Sequence, residues 1–149
     1  MQISTKNFGQ VQYNSEDIIH FDDGIPGFEG FKDFILLSTD EDTPFKWLQS
    51  LDDANIAFVI LDPKVIKPDY AVNLDEGTIK SLEIEDINHI LTYVIVVIPE
   101  EIKKMTANLK APVIINAKNN KAVQLVLDDD RYMIKHPILE ELKNAHTHS

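Results

Sequence analysis

The chain of 149 residues carries 25 Asp and Glu side chains against 14 Lys and Arg, and it contains no cysteine. Its length fits one domain, and the lack of cysteine excludes disulfides, thiolate nucleophiles and cysteine-ligated zinc. The net charge of −11 disfavours direct binding to nucleic acid, because proteins neutralise phosphates with cationic side chains. Such an acidic surface either attracts a basic partner or simply keeps the protein soluble.

Short apolar runs separated by turn residues predict a mainly β fold: a single-domain, compact β-barrel-like structure with a few short helices. In chain order we expect strands at residues 10–13, 18–21, 34–38, 45–50, 56–61, 70–74, 89–98, 112–116, 123–127 and 132–137. Short helical segments are expected at residues 77–84, 87–90 and 139–145. The folded domain is expected to span residues 1–139, followed by a flexible C-terminal tail, 140–149, that contains His146 and His148.

Three features predict how these strands are arranged. Residues 14–17 join the first two strands, which are expected to pair with each other. Residues 118–121 predict a hairpin turn, because their asparagines tolerate left-handed backbone angles. Residues 94–98 are continuously apolar and are expected at the sheet centre, covered on both faces, whereas the more alternating residues 123–127 predict an edge strand.

No segment predicts a membrane span, since the longest apolar run is residues 94–98 and a span needs about 20 apolar residues. The first residues also lack the apolar stretch of a signal peptide. We therefore expect a cytoplasmic protein with no membrane contact.

The sequence contains no recognisable catalytic motif. Its five histidines show none of the spacings of a metal-binding motif, and the three aspartates at 128–130 lack the spaced ligands and glycine of a calcium loop. Nucleophile-elbow and phosphate-binding glycine motifs do not occur. We expect no enzymatic activity, metal or cofactor; a small β-barrel enzyme acting on an unknown substrate is the alternative.

Residues 24–31, Gly-Ile-Pro-Gly-Phe-Glu-Gly-Phe, have more specific chemistry than a connecting loop requires. Pro and Gly in succession favour a tight turn, since proline presets its φ and glycine accepts a positive one. The apolar residues around this turn, Ile25 and Phe28 in particular, either fasten it to the core or display an apolar patch.

Trp47 is the only tryptophan of the chain and lies in the predicted strand 45–50. Phe45 and Trp47 are expected on one face of this strand and Leu48 on the other. Tryptophan is a frequent anchor of protein interfaces, but it also fills cores, and both interpretations remain open for Trp47.

Residues 105–112 combine polar side chains with a proline at a strand start. Pro112 cannot donate a ladder hydrogen bond, so it favours an edge or a strand start. Thr106 and Asn108 can bond to nearby backbone and shape this approach. The segment either accepts an added strand from a partner or is a loop that orders itself.

These three segments also carry a family resemblance. The succession GIPGFE, then PFKWLQS followed by Ile56-Ala57-Phe58-Val59 and Asp62-Pro63, then MTANLKAPVIIN, resembles the FliW family of flagellar assembly factors. The resemblance extends from the first strand to Pro137, and in its closing segment Lys135 stands where arginine is common. It implies a compact, barrel-like β fold and a cytoplasmic bacterial protein.

The resemblance implies two protein partners, flagellin and the RNA-binding translational repressor CsrA. Flagellin occupies the protein when it is abundant. After flagellin export the free protein binds CsrA and antagonises it allosterically, away from its RNA surface, which relieves repression of flagellin translation. A dedicated flagellin chaperone that never binds CsrA is the alternative. We expect a monomer when free, and the residues expected to contact partners are Ile25, Phe28, Trp47, Thr106, Asn108 and Lys110.

Overall fold

A computed structural model of the protein describes residues 1–38 and 43–147, with side chains through residue 143. The strands are β1 (Gln2–Thr5), β2 (Gly9–Gln12), β3 (Ile19–Phe21), β4 (Asp33–Leu37), β5 (Phe45–Ser50), β6 (Ala57–Leu61), β7 (Ile90–Val97), β8 (Thr106–Ala107), β9 (Val113–Asn116), β10 (Lys121–Gln124) and β11 (His136–Pro137). The α-helices are α1 (Glu76–Ser81) and α2 (Leu139–Thr147). Short 3₁₀ turns lie at Ser15–Asp17, Pro63–Val65, Ile87–His89 and Ile102–Lys104.

The main sheet closes on itself, which confirms the predicted mainly β, barrel-like fold. Around the barrel the strand order is β7-β6-β5-β4-β3-β10-β9, and β9 pairs back with the first half of β7. The pairs are antiparallel except β3 with β10, which is parallel. β8 and β11 extend the sheet beyond the second half of β7.

The barrel interior is filled by inward-facing residues of these strands and by Ile25 from the loop between β3 and β4. Phe21 and Phe34 are fully buried there, with their rings in an edge-on contact at 5.4 Å. The cluster of buried side chains consists of Ile19, Phe21, Ile25, Phe34, Leu48, Ile60, Tyr93, Val113, Ile115 and Ala122. Strand residues alternate between two faces, so each strand leaves its remaining side chains on the outside of the barrel.

A second apolar core covers part of that outside. Leu61, Val94 and Val96 point outward from β6 and β7 and are buried beneath the loops and the C-terminal helix. Leu139 and Leu142 of α2 pack against this cluster. The predicted helix at 139–145 is therefore confirmed, whereas the domain boundary at 139 stays a prediction, and residues 148 and 149 of the predicted tail lie outside the described residues.

The expected double cover of residues 94–98 is correct in part. Tyr93 faces the barrel interior while Val94 and Val96 face the second core, so this part of β7 is covered on both sides. Val97 and Ile98 are exposed by 59% and 49%. The middle of β7 is therefore buried while its end is exposed, and the apolar sequence alone does not predict this difference.

The predicted pairing of residues 10–13 with 18–21 is wrong. β2 pairs with β1 instead, through a turn in which the Thr5 hydroxyl donates to the Gly9 carbonyl and accepts from the Phe8 amide. Gly9 supplies the positive φ of 64° that this turn needs. β1 has a single half-buried apolar residue, Ile3, so its polar sequence gave no strand signal.

Three further strand predictions are corrected. Residues 70–74 are irregular, because hydrogen bonds hold this segment to other loops rather than to a strand. The strand expected at 132–137 is reduced to β11, and that at 123–127 is shifted to β10. β10 lies between β3 and β9 rather than at an edge, since its small buried Ala122 packs in the barrel interior.

The predicted hairpin turn at 118–121 is confirmed, with Asn120 at φ 58° between β9 and β10. Next to this turn, the buried Asn116 amide donates to the carbonyls of Leu82 (2.9 Å) and Glu83 (3.3 Å). Glu83 itself has a left-handed φ of 53°. Asn116 thereby fixes the segment that follows α1 against the barrel.

We expect Asn116→Ala to lower the unfolding free energy by about 2 kcal/mol, because the buried side chain donates to the Leu82 and Glu83 carbonyls and accepts from the Lys118 amide, and all three hydrogen bonds are lost. Urea unfolding followed by circular dichroism measures this loss. The control is Asn119→Ala, which removes an exposed amide that also donates to the Leu82 carbonyl, at 3.0 Å. An equal loss for both variants would show that burial of Asn116 has no special role.

Candidate partner-binding surface

The residues expected to contact partners fall into three separate places. Ile25 and Phe28 lie in the loop between β3 and β4, Trp47 lies on β5, and residues 106–110 follow the outer edge of β7. The structure therefore does not gather all of them into one site, and each group is described by its own contacts.

The loop of residues 24–31 both fastens itself to the barrel and displays an aromatic ring. Ile25 is 2% exposed and belongs to the interior core. Phe28 remains 38% exposed, although its ring meets that of Phe58 edge-on at 5.2 Å. The two interpretations of this loop thus apply to different residues: Ile25 staples the turn, and Phe28 presents the accessible apolar surface.

Hydrogen bonds fix the conformation that displays Phe28. Its amide donates to the Ile25 carbonyl, and the Gly24 amide donates to the Phe21 carbonyl. The Glu29 carboxylate accepts from the Gly27 amide at 3.1 Å, and this bond lowers the pKa of Glu29 below its usual range. The loop consequently carries a negative charge next to the exposed ring.

Trp47 lies on the outer face of β5 and is half-buried. Its ring contacts Phe8 edge-on at 5.7 Å, and Phe8 belongs to the turn between β1 and β2. The Lys6 amide also donates to the Ala54 carbonyl, at 3.1 Å. Trp47 therefore holds the N-terminal hairpin against the barrel, and its contact with a partner stays a prediction.

The segment of residues 105–112 orders itself rather than leaving a free strand edge. Thr106 pairs with Val97 on one side and Pro137 on the other, so β11 covers β8. The Asn108 amide donates to the Ile95 carbonyl, and its side-chain oxygen accepts from the Ala111 amide. Of the two alternatives predicted for this segment, the geometry favours the self-ordered loop.

Lys110 lies near the ion pair of Asp129 and Arg131. Its carbonyl accepts from the Leu127 amide, and its charge contributes to the low pKa of Asp129. The larger cause is Arg131, whose side chain and amide both donate to Asp129 and lower that pKa to about 2. Lys110 thus adds a positive charge to a mostly acidic surface.

Phe28 and Thr106 are connected through an exposed residue that the sequence did not single out. The pairing of β6 with β7 ends at Val59 with Val96, and Phe58 and Val97 are the neighbours of this last pair. Phe28 contacts that same Phe58 edge-on, and Thr106 pairs with Val97. We name this surface the barrel-end patch: Phe28, Phe58, Val97 and Thr106.

Carboxylates lie close in sequence to the barrel-end patch. Glu29 follows Phe28, and Glu100 and Glu101 follow β7, all exposed. An exposed apolar patch with a polar surround is typical of a protein–protein contact. Among the side chains of residues 1–38 and 43–143, no group of three metal ligands is placed to hold an ion. No helix within residues 1–38 and 43–147 is long and apolar enough to cross a membrane.

The structure is a small closed β-barrel with an exposed apolar patch at one end, a feature that is frequent at protein–protein contacts. The family model described as FliW protein matches residues 2–138 of the chain. The chain belongs to the FliW family, as its sequence motifs predicted.

Proteins similar in sequence match this chain over all or nearly all of its length. The chain is 62% identical to "Flagellar assembly factor FliW" of Thermoanaerobacter pseudethanolicus, covering 100% of both chains. It is 44% identical to the protein of the same name from Treponema denticola, covering 97% of this chain and 98% of the relative. A solved structure titled "Crystal structure of the flagellar assembly factor FliW" superposes with a TM-score of 0.87 at 35% identity, over 93% of this chain and 97% of that one.

Proposed function

We propose that this protein is a cytoplasmic flagellar assembly factor without catalytic activity, which binds flagellin and, when free of it, binds and antagonises CsrA. The observation that carries this proposal is the match over the full chain to relatives named flagellar assembly factor. The barrel-end patch adds a physical reason, because flagellin ends are amphipathic segments that need an apolar surface when unassembled.

The charge of the chain supports the CsrA part of the proposal. A net charge of −11 favours encounter with a basic RNA-binding protein. Once bound, the same charge repels RNA phosphates at short range, so binding away from the RNA surface still opposes RNA binding.

Separate titrations of flagellin and CsrA against the free monomer, by isothermal calorimetry, test this function. We expect both to bind, with CsrA binding weakened far more than flagellin binding when salt rises from about 0.05 to 0.5 M, because salt screens surface charges. Binding of flagellin alone would support a dedicated chaperone. Binding of neither protein would refute the proposal and reopen the enzyme alternative.

The barrel-end patch makes a prediction at a single residue. Val97→Ser is expected to weaken flagellin binding about tenfold, since fully burying a valine side chain is worth about 1.5–3 kcal/mol and about 1.4 kcal/mol is a factor of ten in affinity. Stability should change little, because the side chain is 59% exposed. Val126→Ser, at a valine that is 72% exposed outside the patch, is the matched control. Equal binding by both variants would exclude the patch as the flagellin contact.

A further inference from the structure

A groove on the other part of β7 is lined by apolar side chains that no role has yet explained. Two adjoining clefts of about 270 and 450 Å³ share Val72, Leu74 and Ile87. Ile90 and Ile114 line the first cleft, and Ile79 and Ile84 the second. We name this surface the β7 groove: Val72, Leu74, Ile79, Ile84, Ile87 and Ile90.

Two of the isoleucines in the β7 groove are unusually accessible. Ile87 is 72% exposed and Ile79 is 38% exposed. A cluster of exposed, branched apolar side chains around a concave surface is typical of a binding site rather than of ordinary surface. Removing these side chains from water would stabilise a complex, because the hydrophobic effect scales with the apolar area buried.

The walls of the β7 groove are held in place from outside it. The Tyr70 hydroxyl donates to the Leu109 carbonyl at 2.7 Å, and the Ala71 amide donates to the Tyr132 hydroxyl at 3.1 Å. On the opposite side, the Asp75 carboxylate caps α1 through the Thr78 amide. A groove fixed in this way binds without a large ordering cost.

The charge around the β7 groove indicates which kind of partner it would bind. Residues 62–92, which supply most of its lining, contain seven carboxylates and three lysines, a net charge of −4. Asp62, Lys64 and Glu85 line the clefts directly, and Lys118 lies 3.9 Å from Glu85, so the acidic excess comes from the surrounding residues. An occupant with an apolar face and positively charged flanks matches this surface, whereas a second copy of this acidic chain does not.

The β7 groove is lined by side chains and not by a free backbone edge, which favours a helix as its ligand. Side chains from α1, from residues 72–74, from the turn Ile87–His89 and from the outer face of β7 converge on the groove. A groove made of side chains accepts the apolar face of an amphipathic helix, while strand addition needs a backbone edge.

We propose that the β7 groove binds a basic amphipathic α-helix of a partner protein. The inference goes beyond the proposed function, which assigns no partner to this groove, and it does not depend on whether flagellin or CsrA binds. The barrel-end patch and the β7 groove share no residue, so the two surfaces can be tested separately.

A synthetic peptide of leucine and lysine in helical spacing, about 18 residues and so about 27 Å long, tests the proposal. Fluorescence anisotropy with the full-length protein measures its affinity. We expect binding at least tenfold tighter than for a scrambled peptide of the same composition or for a leucine–glutamate helix. Equal affinity for the scrambled peptide would overturn the proposal, because charge alone would then explain the binding.

Variants locate the peptide on the protein. Ile87→Ser is expected to weaken binding at least fivefold, and Glu85→Gln to weaken it less and only at low salt. The matched control is Ile102→Ser, since Ile102 is also an exposed isoleucine, 56% accessible, at the first position of a 3₁₀ turn. If Ile87→Ser and Ile102→Ser have the same effect on the affinity, the groove is not the binding site. Circular dichroism melting confirms that each variant is folded.

Discussion

Phe34→Ala is expected to lower the unfolding free energy by about 3–5 kcal/mol, the usual cost of removing a buried aromatic ring. Phe34 is fully buried in the barrel interior, between Phe21 at 5.4 Å and Phe58 at 6.2 Å between ring centroids. The surrounding strands are hydrogen-bonded into a closed barrel, so they cannot collapse into the space that the ring leaves. A domain is stable by only about 5–15 kcal/mol, and this variant should be near the limit of folding.

Urea unfolding of wild type and variant measures the loss. Phe28→Ala is the matched control, because Phe28 contacts the same Phe58 but is 38% exposed. We expect its loss to be well under half that of Phe34→Ala. Similar losses for the two variants would contradict the assignment of Phe34 to the core and of Phe28 to the accessible surface.

Gly24→Ala is expected to be as damaging, with a loss of about 3 kcal/mol or more, for two combined reasons. Gly24 has φ +69°, a conformation that costs an alanine about 1–2 kcal/mol. A Cβ at this position would also lie 2.6 Å from the Glu29 Cα and 2.7 Å from the Glu29 carbonyl oxygen. Because both obstacles are backbone atoms, the loop that holds Phe28 would have to move.

Two other glycines of the same loop separate these causes. Gly27 also has a positive φ, +87°, but a Cβ there meets no atom within 4 Å, so Gly27→Ala should lose only about 1 kcal/mol. Gly30 has an ordinary φ and open space, so Gly30→Ala should leave stability within about 0.5 kcal/mol. Thermal melts of the three variants should rank Gly24 as the most damaging and Gly30 as the least; any other order would show that the close approach to Glu29 is not decisive.

The sequence predicts this fold best where apolar pattern and turn chemistry agree. β5 has the predicted bounds, Phe45–Ser50, because apolar residues and flanking turns coincide there. The hairpin turn before β10 is likewise encoded by adjacent asparagines. The N-terminal hairpin was missed because its stability comes from a local Thr5–Gly9 turn and from the contact between Phe8 and Trp47, not from its own apolar pattern.

The candidate surface was less predictable, because exposure depends on the tertiary structure. Phe28 and Ile25 lie in one motif and have the same apolar character, yet one is displayed and the other buried. Val97 belongs to an apolar run that predicts full burial, and it is exposed at the end of β7, beyond the last residue that pairs with β6. Similarly, the sequence predicts only that Ile87 belongs to a helical turn, and the cleft that it lines is formed by the tertiary structure.

The barrel-end patch and the β7 groove are joined by one element. Val97 at the end of β7 belongs to the patch, and Ile90 at its beginning belongs to the groove. The middle of the strand is buried between two cores. A tightly packed strand of this kind physically connects the two proposed binding surfaces, and coupling between them is measured as the effect of one ligand on the affinity for the other.

We propose that flagellin and CsrA exclude each other from this protein. The most direct measurement is size-exclusion chromatography with light scattering on a preformed complex with CsrA, to which purified flagellin is added in increasing amounts. We predict that flagellin displaces CsrA, leaving a flagellin complex and free CsrA in proportion to the flagellin added. A ternary complex of the three proteins, or an unchanged CsrA complex at saturating flagellin, would contradict the proposed exchange of partners.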